Sequence, residues 1–299
     1  MAIICTTITP LNSTALSQDD IEEKLFELVS LYSDGSNQLE NGVVKVFFSN
    51  LSAEECNRIV CNYFPSEIYL INSEEVKETN WTQRSDELLQ PIKAGKIKII
   101  PVNSADDPKI NKSKRKDVIY IIPGMGFGTG HHATTKSIIE VIQNDLINSH
   151  IQNALIMNPN LADFGTGSGI LAIAVANLLT KSIKEIYAFD NDSAAIDNAI
   201  ENASLNSNLE LINFAVADKI TGKYGLIIAN IYAEVLCEVY ESLNDSLIPG
   251  GVLIMSGIME TKIHLIKERF LVEQSKNWIL LNEQINNSWA TVTLQKGKD

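Results

Sequence analysis

The stretch from Ala162 to Ala174, ADFGTGSGILAIA, holds the key to the chain. Its apolar start reads as a strand, its three glycines as a loop and its apolar end as the opening of a helix. In α/β proteins that order brings bare main chain up against a nucleotide. Gly165, Thr166, Gly167, Ser168 and Gly169 make a GxGxG loop, where missing side chains permit positive φ and close approach of a ligand. The spacing is not the GxGxxG of dinucleotide sites, which argues against a dehydrogenase. Ser168 or Gly169 begins a helix whose free amides favour an electron-rich or anionic group. Without a ligand, the same loop is simply a glycine-rich turn.

Moving outward, Tyr187, Ala188, Phe189 and Asp190, about 25 residues beyond the loop, read as a second strand ending in a carboxylate, at a spacing right for a ribose-binding acid. Asp190 is the candidate sugar ligand, while Asp192 or Ser193 caps the helix that follows. Asp218, just after the third strand, is placed to meet an adenine amino group. The fourth strand ends at Asn230, on the carboxyl edge where open α/β sheets gather ligands. A neutral amide there can orient an amine lone pair without adding charge beside a reacting cation. Taken alone, Asn230 also reads as an ordinary strand-end turn residue.

Strands expected at Asn160 to Phe164, Glu185 to Asp190, Leu209 to Val216, Gly225 to Ile231 and Gly251 to Ser256 alternate with helices at Ala133 to Leu146, Gly169 to Leu179, Ser193 to Leu205, Ala233 to Leu243 and Met259 to Phe270. Alternation of this kind gives parallel strands joined by crossover helices. The end differs: Trp278 to Ile285, the turn residues Asn286, Asn287 and Ser288, and Trp289 to Leu294 read as a hairpin. The first part reads as a small α+β domain, with strands at Ala2 to Thr9, Gly42 to Ser49 and Glu67 to Asn72. Its helices fall at Asp19 to Tyr32 and Ala53 to Phe64, with Ser17 and Ser52 as capping residues ahead of Asp20 and Glu55. The expected division is residues 1–75 as an α+β domain, 76–117 as a linker with one strand at Lys96 to Val102, and 118–299 as a nucleotide-binding domain.

The chain has 299 residues, 45% of them hydrophobic, enough for a sizeable core. It has no apolar run of about 18 residues and no basic start with a long apolar stretch, which points to the cytoplasm. Cys5, Cys56, Cys61 and Cys237 lack metal-ligand spacing and read as free thiols. A formal charge of −13 disfavours nucleic acid as the main partner and suits a basic one. The basic run Lys109, Lys112, Lys114, Arg115 and Lys116 lies among polar residues and reads as a solvated loop. Asp19, Asp20, Glu22, Glu23 and Glu27 make the first helix acidic.

The runs PGMGFGTGHHATT, DFGTGSGILAIA, FDND with AIDNAIENASLN, LIIANI and GGVLIMSGI occur in order from Pro123 to Ile258. Together they resemble the PrmA family, the ribosomal protein L11 methyltransferases. The resemblance implies a Rossmann-like class I methyltransferase sheet with a C-terminal hairpin, preceded by a ferredoxin-like α+β domain that presents a protein substrate. It implies S-adenosylmethionine as cofactor and methylation of lysine or N-terminal amines of a basic ribosomal protein, with no direct nucleic-acid recognition and no membrane. Thr135, Gly165, Asp190 and Asn230 match cofactor-contacting positions, and Asp163, Gly167 and Gly169 belong to the same cradle. Phe127, Gly128, Thr129, Gly130 and His131 match a loop over the methionine end of the cofactor. Asn230 and His131 are the catalytic candidates, with His131 or His132 as a proton relay or as a loop-fixing hydrogen-bond partner.

Ile122, Gly126 and Thr166 depart from the family's usual aspartate, alanine and cysteine, and none removes a group that the chemistry demands. The leading domain matches the family only faintly. Alternatives are a class I methyltransferase acting on another protein or a small molecule, and a non-catalytic binding protein on the same fold. Asn230, Ile231, Tyr232 and Ala233 stand where glutamine-modifying relatives carry Asn-Pro-Pro-Tyr, which argues against planar amide recognition.

Overall fold

The structure is a computed structural model that describes residues 3–11, 21, 24–25, 28, 35–38, 43–49, 51–75, 90–111, 115–123, 133–273 and 277–298. It divides into two compact units, Met1–Glu87 and Leu88–Asp299. In the first, β1 (Ile3–Pro10), β2 (Gly35–Gln38), β3 (Val44–Ser49) and β4 (Tyr69–Glu75) form an antiparallel sheet in the order β2-β3-β1-β4. Alternate residues Ile4 and Ile8, and Val44, Val46 and Phe48, turn into one core, as the two-residue period of a strand requires. Helical residues 21, 25 and 28 add Ile21, Leu25 and Leu28, and α1 (Ala53–Cys61) adds Cys56 and Val60. The order strand, helix, two strands, helix, strand is ferredoxin-like.

Ser52 caps α1 with a reciprocal box. Its Oγ accepts from the Glu55 amide at 3.3 Å while Glu55 Oε2 accepts from the Ser52 amide at 2.9 Å and from the Ser52 hydroxyl at 2.7 Å, and the two bonds to that oxygen hold the Glu55 carboxyl below its usual range. The expected Ser17 and Asp20 cap lies outside the described residues. β2 has no signal of its own in the sequence: GSNQ contains no β-former, and it is a strand because its backbone pairs with β3.

In the second unit, β5 (Ile92–Ala94), β6 (Ile97–Pro101) and β7 (Val118–Ile121) make a three-stranded sheet. Ala94, Ile97 and Ile99 lie in the main core of this unit, so residues 90–111 belong to it, although the sequence reads as linker from 76 to 117. The seven-stranded sheet contains β8 (Asn160–Phe164), β9 (Glu185–Asp190), β10 (Ile212–Val216), β11 (Tyr224–Asn230), β12 (Leu247–Met259), β13 (Trp278–Asn286) and β14 (Trp289–Lys296). Its order is β10-β9-β8-β11-β12-β14-β13, with β8 to β12 parallel and β14 antiparallel to both neighbours. The chain leaves β8 toward β10 and returns on the other side at β11, so the switch point falls between β8 and β11.

One core, over one face of this sheet, takes buried residues from α2 (Ala133–Gln143), α3 (Asp145–Met157), α4 (Ile170–Leu178) and α5 (Ser193–Ser204). The other takes α6 (Ala233–Glu238), α7 (Tyr240–Ser246) and α8 (Ile263–Ile266).

Three helices differ from expectation. The Ala133 to Leu146 helix stops at Gln143, and Asn144 starts the unforeseen α3 by accepting from the Leu146 and Ile147 amides at 3.1 and 3.3 Å. The Ala233 to Leu243 helix breaks at Val239 into α6 and α7. Met259 belongs to β12, and the helix expected from it becomes a 3-10 turn, α8, then a widened π segment at Lys267–Val272. Between β10 and β11 only residues 217–223 cross the sheet, with no helix. Buried Ile220 anchors that strap, its carbonyl accepting from Ser242 and Ser246 at 3.0 and 3.3 Å. Among the described residues no helix is long and apolar enough to cross a membrane.

Candidate active site

Three strand ends and one loop converge at the switch point. Gly165 and Thr166 both donate their amides to the Phe189 carbonyl, at 2.9 and 2.8 Å, which ties the loop after β8 to the end of β9. Gly165, Gly167 and Gly169 have φ of 75°, 52° and 78°, conformations that side chains rarely adopt. At Gly165 a Cβ would also collide with Ile231 Cγ2, and at Gly169 it would approach Ala199 Cβ to 3.0 Å. Gly169 then heads α4, so the loop ends on a helix N-terminus.

Asp163, the fourth residue of β8, is fully buried beneath this loop. Its Oδ2 accepts from Thr166 Oγ at 2.7 Å and from the Ala172 amide at 3.1 Å. Its Oδ1 is buried and has no partner among the described residues. Burial pushes its pKa up to about 6; the two hydrogen bonds oppose the rise and the Asp190 charge adds to it. Thr166 thus gives the loop a hydroxyl that fastens it to the carboxylate below.

Asp190 ends β9 with both oxygens turned to backbone. Oδ2 accepts from the Gly167 amide at 2.8 Å and Oδ1 from the Asp192 amide at 3.1 Å. Each oxygen keeps a second lone pair. Asp192 caps α5, its Oδ1 accepting from the Ala194 amide at 2.8 Å. Asn230 ends β11 half-buried, in register with Ser256 of β12. Ile231 is wedged beyond it, for Gly257, at φ 80°, lies so close that a Cβ would come within 2.7 Å of the Ile231 carbonyl oxygen. Thr135 is buried in the first turn of α2, and Asp218 is exposed beyond β10.

Asp163, Gly165, Gly167, Gly169 and Asp190 are therefore joined by hydrogen bonds in one cradle, and Asn230 stands on the same rim through Ile231. Phe127, Gly128, Thr129, Gly130, His131 and His132 lie outside the described residues. Sequence reasoning missed Asn198 and Asn202 of α5 and Asn206 two residues past its end, which form a row behind the loop. The spacing of four in AIDNAIENASLN was their visible signal.

The family profile for ribosomal protein L11 methyltransferase (PrmA) matches residues 5–297. A Brucella suis protein named ribosomal protein L11 methyltransferase is 37% identical over 201 residues, covering 64% of this chain and 65% of that protein. A Nitratiruptor protein of the same name is 32% identical over 238 residues, covering 79% of this chain and 76% of that one. The chain thus aligns with less than two thirds of the Brucella protein's length. Among solved structures, a ribosomal protein L11 methylase from Lactobacillus delbrueckii subsp. bulgaricus superimposes with a TM-score of 0.54 at 28% identity, over 70% of this chain and 99% of that one. With a match along nearly all its length, a glycine loop on β8, an acid ending β9 and a hairpin that closes the sheet, the chain belongs to the ribosomal protein L11 methyltransferase (PrmA) family.

Proposed function

We propose that this chain is an S-adenosylmethionine-dependent protein methyltransferase acting on amines of ribosomal protein L11 in the cytoplasm. The carrying observation is the cradle of Gly165 to Gly169 with Asp163 and Asp190 on its two sides. Its residues fit a cationic nucleoside. Asp190 offers spare acceptor lone pairs beside the loop, as ribose hydroxyls need, and Asp163 Oδ1 is an unspent acidic acceptor. S-adenosylmethionine supplies the electrophile, a methyl group on a positive sulfur.

The chain's own work is binding, alignment and desolvation. The Gly167 amide fixes the Asp190 carboxylate, and Asp192 fixes its other oxygen, so the acid meets a sugar without reorganising. Asn230 orients the incoming amine by accepting from its N–H, with no charge added. A lysine of ordinary pKa is neutral in only roughly one molecule in two thousand at pH 7, and an α-amine far more often. Burial beside a cation lowers an amine's pKa by desolvation and like-charge repulsion, which supplies the neutral nucleophile without a strong base. By likeness to the family, Phe127, Thr129, Gly130 and His131 cover the methionine end, with His131 as the proton-relay candidate, and Thr135 contacts the cofactor.

The leading unit is assigned to presenting the substrate, a basic protein suited to a chain of charge −13. The test is to incubate the protein and labelled cofactor with purified ribosomal proteins, beside a calorimetric titration with S-adenosylmethionine and NAD. Label is expected in L11. Label only in another protein would overturn the substrate, and binding of NAD alone would overturn the reaction.

A further inference from the structure

β7 pairs with β6 along one edge, and among the described residues its other edge has no strand neighbour. The backbone groups of Tyr120 in β7 and of Ile122, one residue past its end, meet the side chains of Asn206, two residues past the end of α5, and of Asn202 within it. Asn206 Oδ1 accepts from the Tyr120 amide at 2.9 Å and its Nδ2 donates to the Tyr120 carbonyl at 2.7 Å. One turn earlier, Asn202 Oδ1 accepts from the Ile122 amide at 2.7 Å and its Nδ2 lies 3.3 Å from the Ile122 carbonyl. The spacing explains the match: Leu205 keeps the helical conformation past the end of α5, four residues at that pitch rise about 6 Å and two strand residues about 6.6 Å, so amides at i and i+4 can pair with alternate residues of an extended chain. A carboxamide carries the same donor and acceptor as a peptide group. The face of α5 therefore serves β7 as a substitute strand.

Asn202 does more than its neighbour. It is fully buried, and its Nδ2 also donates to the carbonyl of Ser168, inside the glycine loop, at 3.0 Å. Asn198 completes the row, its Oδ1 accepting from Asn202 Nδ2 at 3.3 Å. Asn206 has no bond to the glycine loop; its further bond goes to the Asn202 carbonyl at 2.7 Å. Ile122 immediately precedes Pro123, which opens the run PGMGFGTGHH.

We propose that Asn202 is a positioning residue: one buried amide holds the Ser168 carbonyl of the glycine loop and the backbone of Ile122, at the end of β7, in fixed register, so that the cofactor cradle is set against that strand. This rests on the function proposed above.

The test compares Asn202→Leu with Asn206→Leu, a pair that each remove one asparagine from the amide and carbonyl of a single residue, Ile122 or Tyr120. Amide exchange of the peptide 165–173 is measured by mass spectrometry, along with kcat and KM for the cofactor. Asn202→Leu is expected to speed exchange in the loop by about tenfold. It is expected to lower kcat by about ten- to a hundredfold, as misplacement at a reacting centre does. Asn206→Leu is expected to leave loop exchange and kcat at wild-type values. Equal changes in the two variants, or unchanged loop exchange in Asn202→Leu, would overturn the proposal. Should Asn202→Leu not fold, Asn202→Gln keeps the amide one methylene displaced; it is expected to change both readouts in the same direction, and wild-type values would refute the assignment. A wild-type protein that binds no S-adenosylmethionine would sink the function, while the exchange comparison still decides whether Asn202 holds the loop.

Discussion

Asp163 and Asp190 are the two acids of the cradle, and they answer to different physics. Asp163 is raised to about 6 chiefly by burial, above its unfolded value near 4. The folded state therefore binds the proton more tightly than the unfolded one, so this group's contribution to stability is full below about pH 4 and is lost as pH rises through about 6. Chemical denaturation should show wild type losing about 2 to 3 kcal/mol relative to Asp163→Asn across that window. A pH-independent difference would mean the carboxyl is not desolvated. Asp190 is instead tied to two backbone amides, so Asp190→Ala removes a sugar acceptor and frees the Gly167 amide together. Calorimetry should register about 1 to 3 kcal/mol weaker cofactor binding. These two acids and the three loop glycines are legible in the sequence because spacing along a strand, a turn and a helix start fixes them locally. The asparagines of α5 are not, since an Asn in a helix ordinarily reads as a solvated residue until the strand it faces is known.

At the scale of elements, the β13–β14 hairpin is the clearest success of pattern reading, and its turn invites improvement. Asn287 and Ser288 have φ of 48° and 62°, the double left-handed turn that matches strand twist. Asn tolerates that region and Ser does not, so Ser288→Gly should stabilise the second unit by about 1 kcal/mol, read as a shifted denaturation midpoint with unchanged slope. The glycine loop behaves oppositely. Gly165→Ala meets both a φ of 75° and the Ile231 side chain, so it should destabilise by about 1 to 3 kcal/mol. Adding Ile231→Ala should relieve only the collision, leaving the backbone cost. Other elements escaped the sequence for identifiable reasons. α3 hides because Asn144 reads as the end of one helix and also starts the next. β5 lies in polar surroundings and is not foreseen, and β6, expected as a lone strand within a linker, is shown to belong to the second unit by its burial against that unit's helices. The helix after β12 fails its period because it widens into a π segment.

For the molecule as a whole, charge and partition decide behaviour. With a formal charge of −13, encounter with a basic substrate should slow as salt rises, since screening reaches about 8 Å at physiological ionic strength. The rate constant kcat/KM for protein substrate should fall between low and high salt while cofactor affinity stays level, and equal loss of both would point to a conformational effect. Each unit has its own core, so residues 88–299 should bind cofactor without the first unit while losing methylation of the protein substrate. The position of β14 bears on how such a chain is made. It is the latest of the seven strands in chain order, yet it lies between β12 and β13 and hydrogen-bonds to both. During synthesis the ferredoxin-like unit can settle early, whereas the larger sheet must wait, with a gap open beside β12, until the segment that fills it has left the ribosome. Protein caught in that interval presents a long unpaired edge, which makes the nascent second unit the natural client for a chaperone.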